Sequence, residues 1–215
     1  MDDMAVIASD DFSGESNELL TDYNPAWWEV TTTAARNWAR ISDVGRARGG
    51  TTVACWAHSG TAGIKRALCD LYRVSDTQYA AAGLMFTYAS GYRAAYTVRV
   101  RWRPMAAQSF VELFKPTTAS VVSNPLAQVQ YQLPLETVVR LRLEQDGADI
   151  RVYIDDELFI DYTDSDPRAI TGGGILLHGY VSNSDTVGVH VDNFQAEDSL
   201  DEPTDRRTPL LLAPW

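Results

Sequence analysis

The chain has 215 residues and a mass of 23.8 kDa, with 18 Lys and Arg against 29 Asp and Glu, a formal net charge of −11. Hydrophobic residues at 45% and aromatics at 10% supply a core and exclude disorder for the bulk of the chain. The acid excess, with pI ≈ 4.6, excludes general binding to nucleic acid or anionic membranes, and no apolar run approaches the ~20 residues of a bilayer span. The charge is segregated. Residues 1–30 hold eight acids and no Lys or Arg, residues 31–140 thirteen basic groups against five acids, and residues 141–215 five against sixteen.

In chain order, Met1-Asp2-Asp3-Met4 is acidic and lacks the apolar core of an export signal, so none is expected. Trp27 and Trp28, if in a strand, point to opposite sides of it. Cys55 and Cys69 cannot build a disulfide framework, and two buried free thiols are expected in preference to a single bridge between neighbouring strands. Residues 92–103 alternate most clearly: Tyr96, Val98, Val100 and Trp102 face one way and Thr97, Arg99, Arg101 and Arg103 the other. Residues 138–163 read as a three-strand meander, turning at Asp146-Gly147 and again at Asp155-Asp156. Gly172-Gly173-Gly174 opens another strand, and Val187, Val189 and Val191 alternate in the last. No stretch holds a helical period over three turns. Roughly a dozen short strands predict an all-β, two-sheet antiparallel β-sandwich over residues 1–197. Residues 198–215, with Pro203, Pro209 and Pro214, read as an extended C-terminal arm whose tip, Leu210, Leu211, Leu212 and Trp215, should dock on a neighbour or on the sandwich itself.

The opening Asp10-Asp11-Phe12-Ser13-Gly14, then Trp28-Glu29-Val30, Trp38 and Gly45-Arg46-Ala47-Arg48 form an ordered set. The run from Leu141 through Asp146-Gly147 to Asp155-Asp156-Glu157-Leu158, followed by Gly173-Gly174-Ile175 and Val191-Asp192-Asn193-Phe194, completes it. Together they resemble the concanavalin A-like lectin/glucanase (laminin-G-like) jelly rolls over about residues 8–196. The resemblance implies a jelly-roll fold. It does not choose among lectins, glycosidases, adhesion modules and bacteriophage components.

Glucanases of that superfamily use a Glu-x-Asp-x-x-Glu strand, because retention needs two carboxyls about 5–5.5 Å apart. The nearest approach here, Glu144 through Asp149, ends in Asp and is split by the Asp146-Gly147 turn, so no catalytic pair is expected. Asp155-Asp156-Glu157 reads as turn chemistry before it reads as a metal or acid/base site. The resemblance brings in one metal, a Ca²⁺ near the joined terminal strands at Asp11 and Asp192; the competing reading is two solvent-facing acids. No other cofactor is expected. His58, His178 and His190 have no zinc-ligand spacing, and Ser59 beside His58 has no third partner. The outward stripe Arg99, Arg101 and Arg103, extended by Arg140 and Arg142, is either a glycan- or partner-binding face or is paired across strands with Glu112 and Glu144. Trp28 is the candidate sugar-stacking ring.

By resemblance, these features fit a bacteriophage virion component, which implies a non-enzymatic virion structural protein, head-decoration or tail-associated, made in the host cytoplasm. It would contact other virion subunits or its own copies through the arm and a sheet face, with no nucleic-acid or membrane partner. A carbohydrate-binding module or lectin for host-surface glycans is the alternative, and a divergent glycoside hydrolase stands behind it.

Overall fold

A computed structural model of the chain describes residues 5–15, 18–30, 39–42, 45–48, 53–75, 80–88, 93–103, 109–116, 124–179 and 188–200. Fifteen strands and one short helix are formed among them. In order these are β1 Val6–Asp10, α1 Leu20–Tyr23, β2 Trp27–Glu29, β3 Arg40–Ile41, β4 Ala47–Arg48, β5 Val53–His58, β6 Arg66–Arg73, β7 Ala80–Tyr88, β8 Arg93–Trp102, β9 Phe110–Phe114, β10 Ala127–Gln130, β11 Val138–Asp146, β12 Asp149–Ile154, β13 Glu157–Thr163, β14 Gly172–Gly179 and β15 Val189–Glu197. The strands make two antiparallel sheets. One runs β13-β12-β11-β6-β15-β4-β3, with β1 also on β15; the other runs β10-β9-β8-β7-β14-β5-β2. The all-β sandwich read from the alternation is therefore the fold.

Period-two patterning explains how the sheets close on each other. Leu141, Leu143, Val152 and Ile160 from the first sheet meet Leu84, Val98, Val100, Leu113 and Ile175 from the second in one core. The meander sits where the sequence places it, but its turns differ in chemistry. Asp155 and Asp156 both take positive φ, as a type I′ hairpin requires, whereas the first turn is centred on Gly147 (φ 59) and Ala148. Terminal strands pair: Asp10 lies opposite Phe194 and Val6 opposite Glu197. On β15, left-handed Asn193 (φ 48) accompanies a bulge between Asp192 and Gln195. That extra residue switches the inward set from Val189 and Val191 to Phe194 and Ala196.

Where β1 meets β2, Asp10 is buried and fully used. Its Oδ1 accepts from the Phe12 amide (2.8 Å) and the Tyr23 hydroxyl (3.0 Å), and its Oδ2 accepts from Asn24 Nδ2 (2.8 Å) and Trp27 Nε1 (2.7 Å). Trp27 is thereby fixed in the core against Phe12, His58 and Phe194, and Trp28, one residue on, is turned to the outer side. Cys69 is a free, fully buried thiol; burial raises its pKa well above the usual thiol value.

Candidate functional site

The outward residues of β8 and β9 meet in register. Arg99 lies opposite Glu112, Arg101 opposite Phe110 and Thr97 opposite Phe114. Arg99 donates from Nε (2.9 Å) and Nη2 (2.7 Å) to Glu112 Oε2, while Arg101 Nη2 lies 3.1 Å from Oε1. One carboxylate, only 3% exposed, thus holds two guanidiniums. Each guanidinium also lies over a ring, Arg99 over Phe114 at 5.0 Å and Arg101 over Phe110 at 5.1 Å. Arg103, at the end of the row, is half-buried, and its amide donates to Ser109 Oγ.

Across β7, β14, β5 and β2 the same outer face turns apolar. Met85, Leu176, Ala57, Ala94 and Val30 form a second cluster on which Trp28 packs. From β9 to β2 the face crosses five strand spacings, about 24 Å. At its middle the backbones are crowded: a Cβ on Gly83 would stand 2.0 Å from the Val98 carbonyl oxygen, and one on Gly174 1.9 Å from that of Trp56. Among the described residues, Trp28 Nε1 and Arg101 Nε have no hydrogen-bond partner.

The sequence-derived stripe is divided. Arg99, Arg101 and Arg103 belong to the seven-stranded sheet, whereas Arg140 and Arg142 lie on β11 of the other sheet, on the opposite outer surface. Alternation assigns a side chain to one face of its own sheet but carries no information on which sheet a strand joins. On that opposite surface the charges are consumed by cross-strand pairs. Arg140 pairs with Asp70 (2.9 Å), and Arg66 pairs with Glu144 (2.7 Å) and Glu197 (3.1 Å) while also donating to the Leu200 carbonyl. Glu144 is buried in this network, and Asp149 lies past the turn on β12.

Asp11 and Asp192, the pair that the resemblance implied for Ca²⁺, lie near enough for the Asp11 charge to act on Asp192. Hydrogen bonds from the Ser13 hydroxyl and then the Ser13 amide lower the Asp11 pKa. Asp192 Oδ1 accepts from the Asn193 amide, and Oδ2 lies 3.7 Å from Arg46 Nε. Burial raises the Asp192 pKa. Among the described residues no three His, Cys, Asp or Glu side chains converge on a common point. Leu210, Leu211, Leu212 and Trp215 lie outside the described residues. Glu112 entered the sequence reading only as a charge partner; that it organises both arginines and both phenylalanines follows from the β8–β9 register, which no local pattern specifies.

No protein-family model matches the chain, and no curated protein matches it in sequence. Solved structures do match. The carbohydrate-binding module CBM66 from Bacillus subtilis is 18% identical, with a TM-score of 0.58 over 81% of this chain and 96% of that one. The Bacillus licheniformis β-glucanase is 10% identical, with a TM-score of 0.54 over 89% and 98%. The exoplasmic/lumenal domain of VIP36, solved with Ca²⁺ and mannose, is 10% identical, with a TM-score of 0.52 over 85% and 87%. At these identities the likeness establishes the fold alone, a two-sheet antiparallel jelly-roll sandwich. The expectation of a non-enzyme is corrected by the same finding. Glycoside hydrolases are among the neighbours, so the architecture does not separate binding from hydrolysis.

Proposed function

We propose that the chain binds carbohydrate on the outer face of its seven-stranded sheet. The observation that carries this reading is that Trp28, Arg101 and Phe110 stand partly exposed on that face, held by the buried Arg99–Glu112 pair at one side and the buried apolar cluster at the other. Sugars present both kinds of surface. Hydroxyls accept from guanidinium donors, and pyranose C–H faces pack on aromatic and aliphatic side chains. Carbohydrate-binding neighbours of the same fold support it. Neither the neighbours named above nor any described residue speaks for the virion role expected from the arm.

Binding to a panel of soluble polysaccharides, measured by affinity electrophoresis and glycan array, tests the reading. Trp28→Ala and Arg101→Ala should each weaken the strongest interaction about tenfold, equivalent to about 1.4 kcal/mol. Following the same panel for released reducing ends measures turnover. Failure to retain any polysaccharide, or retention unchanged in both variants, would remove the outer face from consideration.

A further inference from the structure

Beyond β15 the chain is led onto the outer surface of the eight-stranded sheet. Arg66 points away from the core, because its neighbour Ala67 points in. Its guanidinium is held by Glu144 and Glu197 and donates from Nη2 to the Leu200 carbonyl (2.7 Å). Residues 201–215 therefore set out from a fixed point on that surface.

Next to that point one row of the sheet differs from its neighbours. Leu68 lies opposite Arg142, Arg142 opposite Tyr153, and Tyr153 opposite Leu158, so β6, β11, β12 and β13 each give it one residue. Leu68 and Tyr153 are half-buried, and Leu158 is 47% exposed. Arg142 is buried and lies over the Tyr153 ring at 4.0 Å, so the row presents apolar surface in place of charge. The rows on either side are charged, with Arg66, Glu144, Arg151 and Asp161 in one and Asp70 and Arg140 in the other. Past Leu158 the rim is acidic. The Asp156 and Asp161 side chains are 78% and 58% exposed, and Glu157 is exposed beside them.

Residues 201–215 carry the complement of this surface, in a usable order. Arg206-Arg207 precedes Thr208-Pro209, a turn-forming pair, and Leu210, Leu211, Leu212 and Trp215 follow. From Arg66 to Leu158 is three strand spacings across and two residues along, about 16 Å. Residues 201–206 reach about 20 Å when extended. The two arginines can thus arrive at the acidic rim, and the residues after Pro209 can return across the row.

We propose that residues 206–215 dock on this row of their own chain. Arg206 and Arg207 face Asp156, Glu157 and Asp161. Leu210 and Leu212, which an extended segment turns the same way, cover Leu158 and Tyr153, with Trp215 beyond them on Leu68. The surface is opposite the one assigned to carbohydrate, and the docking does not rest on that reading.

A nitroxide on Ala213→Cys of the full chain, with Cys55 replaced by Ser, tests the docking by amide line broadening; Cys69 is fully buried and does not take the label. The amides of Leu68, Tyr153 and Leu158 should broaden well ahead of those of Arg101 and Phe110 on the opposite surface. Leu158→Lys, at an exposed position where the fold tolerates the change, should abolish that broadening. It should also speed trypsin cleavage after Arg206 and Arg207, read by mass, about tenfold as the undocked population rises. Leu210→Ser combined with Leu212→Ser should speed cleavage as much while leaving the sheet face untouched. Mixing nitroxide-bearing chain with isotope-labelled chain that bears none should broaden nothing. Absence of broadening at the row, broadening that survives Leu158→Lys, or equal cleavage rates in parent and variants would each overturn the proposal. Broadening in the mixture would also overturn it, by placing the segment on a second copy.

Discussion

Replacing Asp10 with alanine strips the acceptor from four donors at once. Two of them, the Phe12 amide and Trp27 Nε1, belong to residues with essentially no exposure, so neither finds water in the variant. A buried donor left unmet costs about 1–3 kcal/mol. The other two, on Tyr23 and Asn24, are on half-buried residues and regain solvent. The expected loss is therefore about 4 kcal/mol, a large part of the roughly 5–15 kcal/mol that holds such a domain folded. Asp10→Asn keeps the shape and one acceptor oxygen, and should cost about half as much. Urea unfolding followed by tryptophan fluorescence measures both. Because Asp10 fixes Trp27 and hence the direction of Trp28, the alanine variant should also retain polysaccharide less well while still folded. A stability loss under about 1 kcal/mol for alanine would show that the four-donor cage does not organise this corner.

Three further outcomes are expected. Gly174→Ala drives a Cβ to 1.9 Å from the Trp56 carbonyl oxygen and should cost about 3 kcal/mol or more, whereas Gly63→Ala, with no atom within 4 Å, should cost about 1 kcal/mol for its φ of +84° alone; equal urea midpoints for the two would contradict the crowding. Glu112→Gln leaves Arg99 and Arg101 without their shared counter-charge in a buried row and should destabilise by about 3–5 kcal/mol; a variant as stable as the parent would make that carboxylate a bystander. Burial lowers the His58 pKa, opposed in part by Asp10, and His58 Nδ1 accepts from the Gly60 amide, so the folded state favours neutral imidazole. Its contribution to stability is complete above the unfolded value of about 6.5 and is lost as pH falls through the lowered folded value. Urea unfolding on either side of that pH should show the decline in the parent but not in His58→Gln, and identical pH slopes would rule His58 out.

Short-range patterning carried the strands, and long-range pairing carried the site. Val98 and Val100 alternating with Arg99 and Arg101 is enough to predict β8, and Gly147 with Asp155-Asp156 is enough to predict the meander, because side-chain direction and turn dihedrals are properties of neighbouring residues. Which strand lies beside which is not. Arg101 and Arg142 look equivalent in sequence, yet β8 and β11 fall in different sheets. Glu112 carries no motif of its own. Its role comes from register across β8–β9. Asp10 and Asp11 are adjacent acids in sequence, and only packing makes the first a buried hub and leaves the second near the surface.

The pairing of β1 with β15 has a consequence for how the molecule is made. Val6 must find Glu197, and Asp10 must find Phe194, so the eight-stranded sheet is completed only after β15 has been made. Until then one edge of β1 stays unmet, and Trp27 cannot settle against Phe194. Closing so long a loop adds only a logarithmic entropy cost, but contacts this remote slow the search. The last step of folding should therefore wait for β15, with the aromatic corner at Asp10 locking after the central strands are in place.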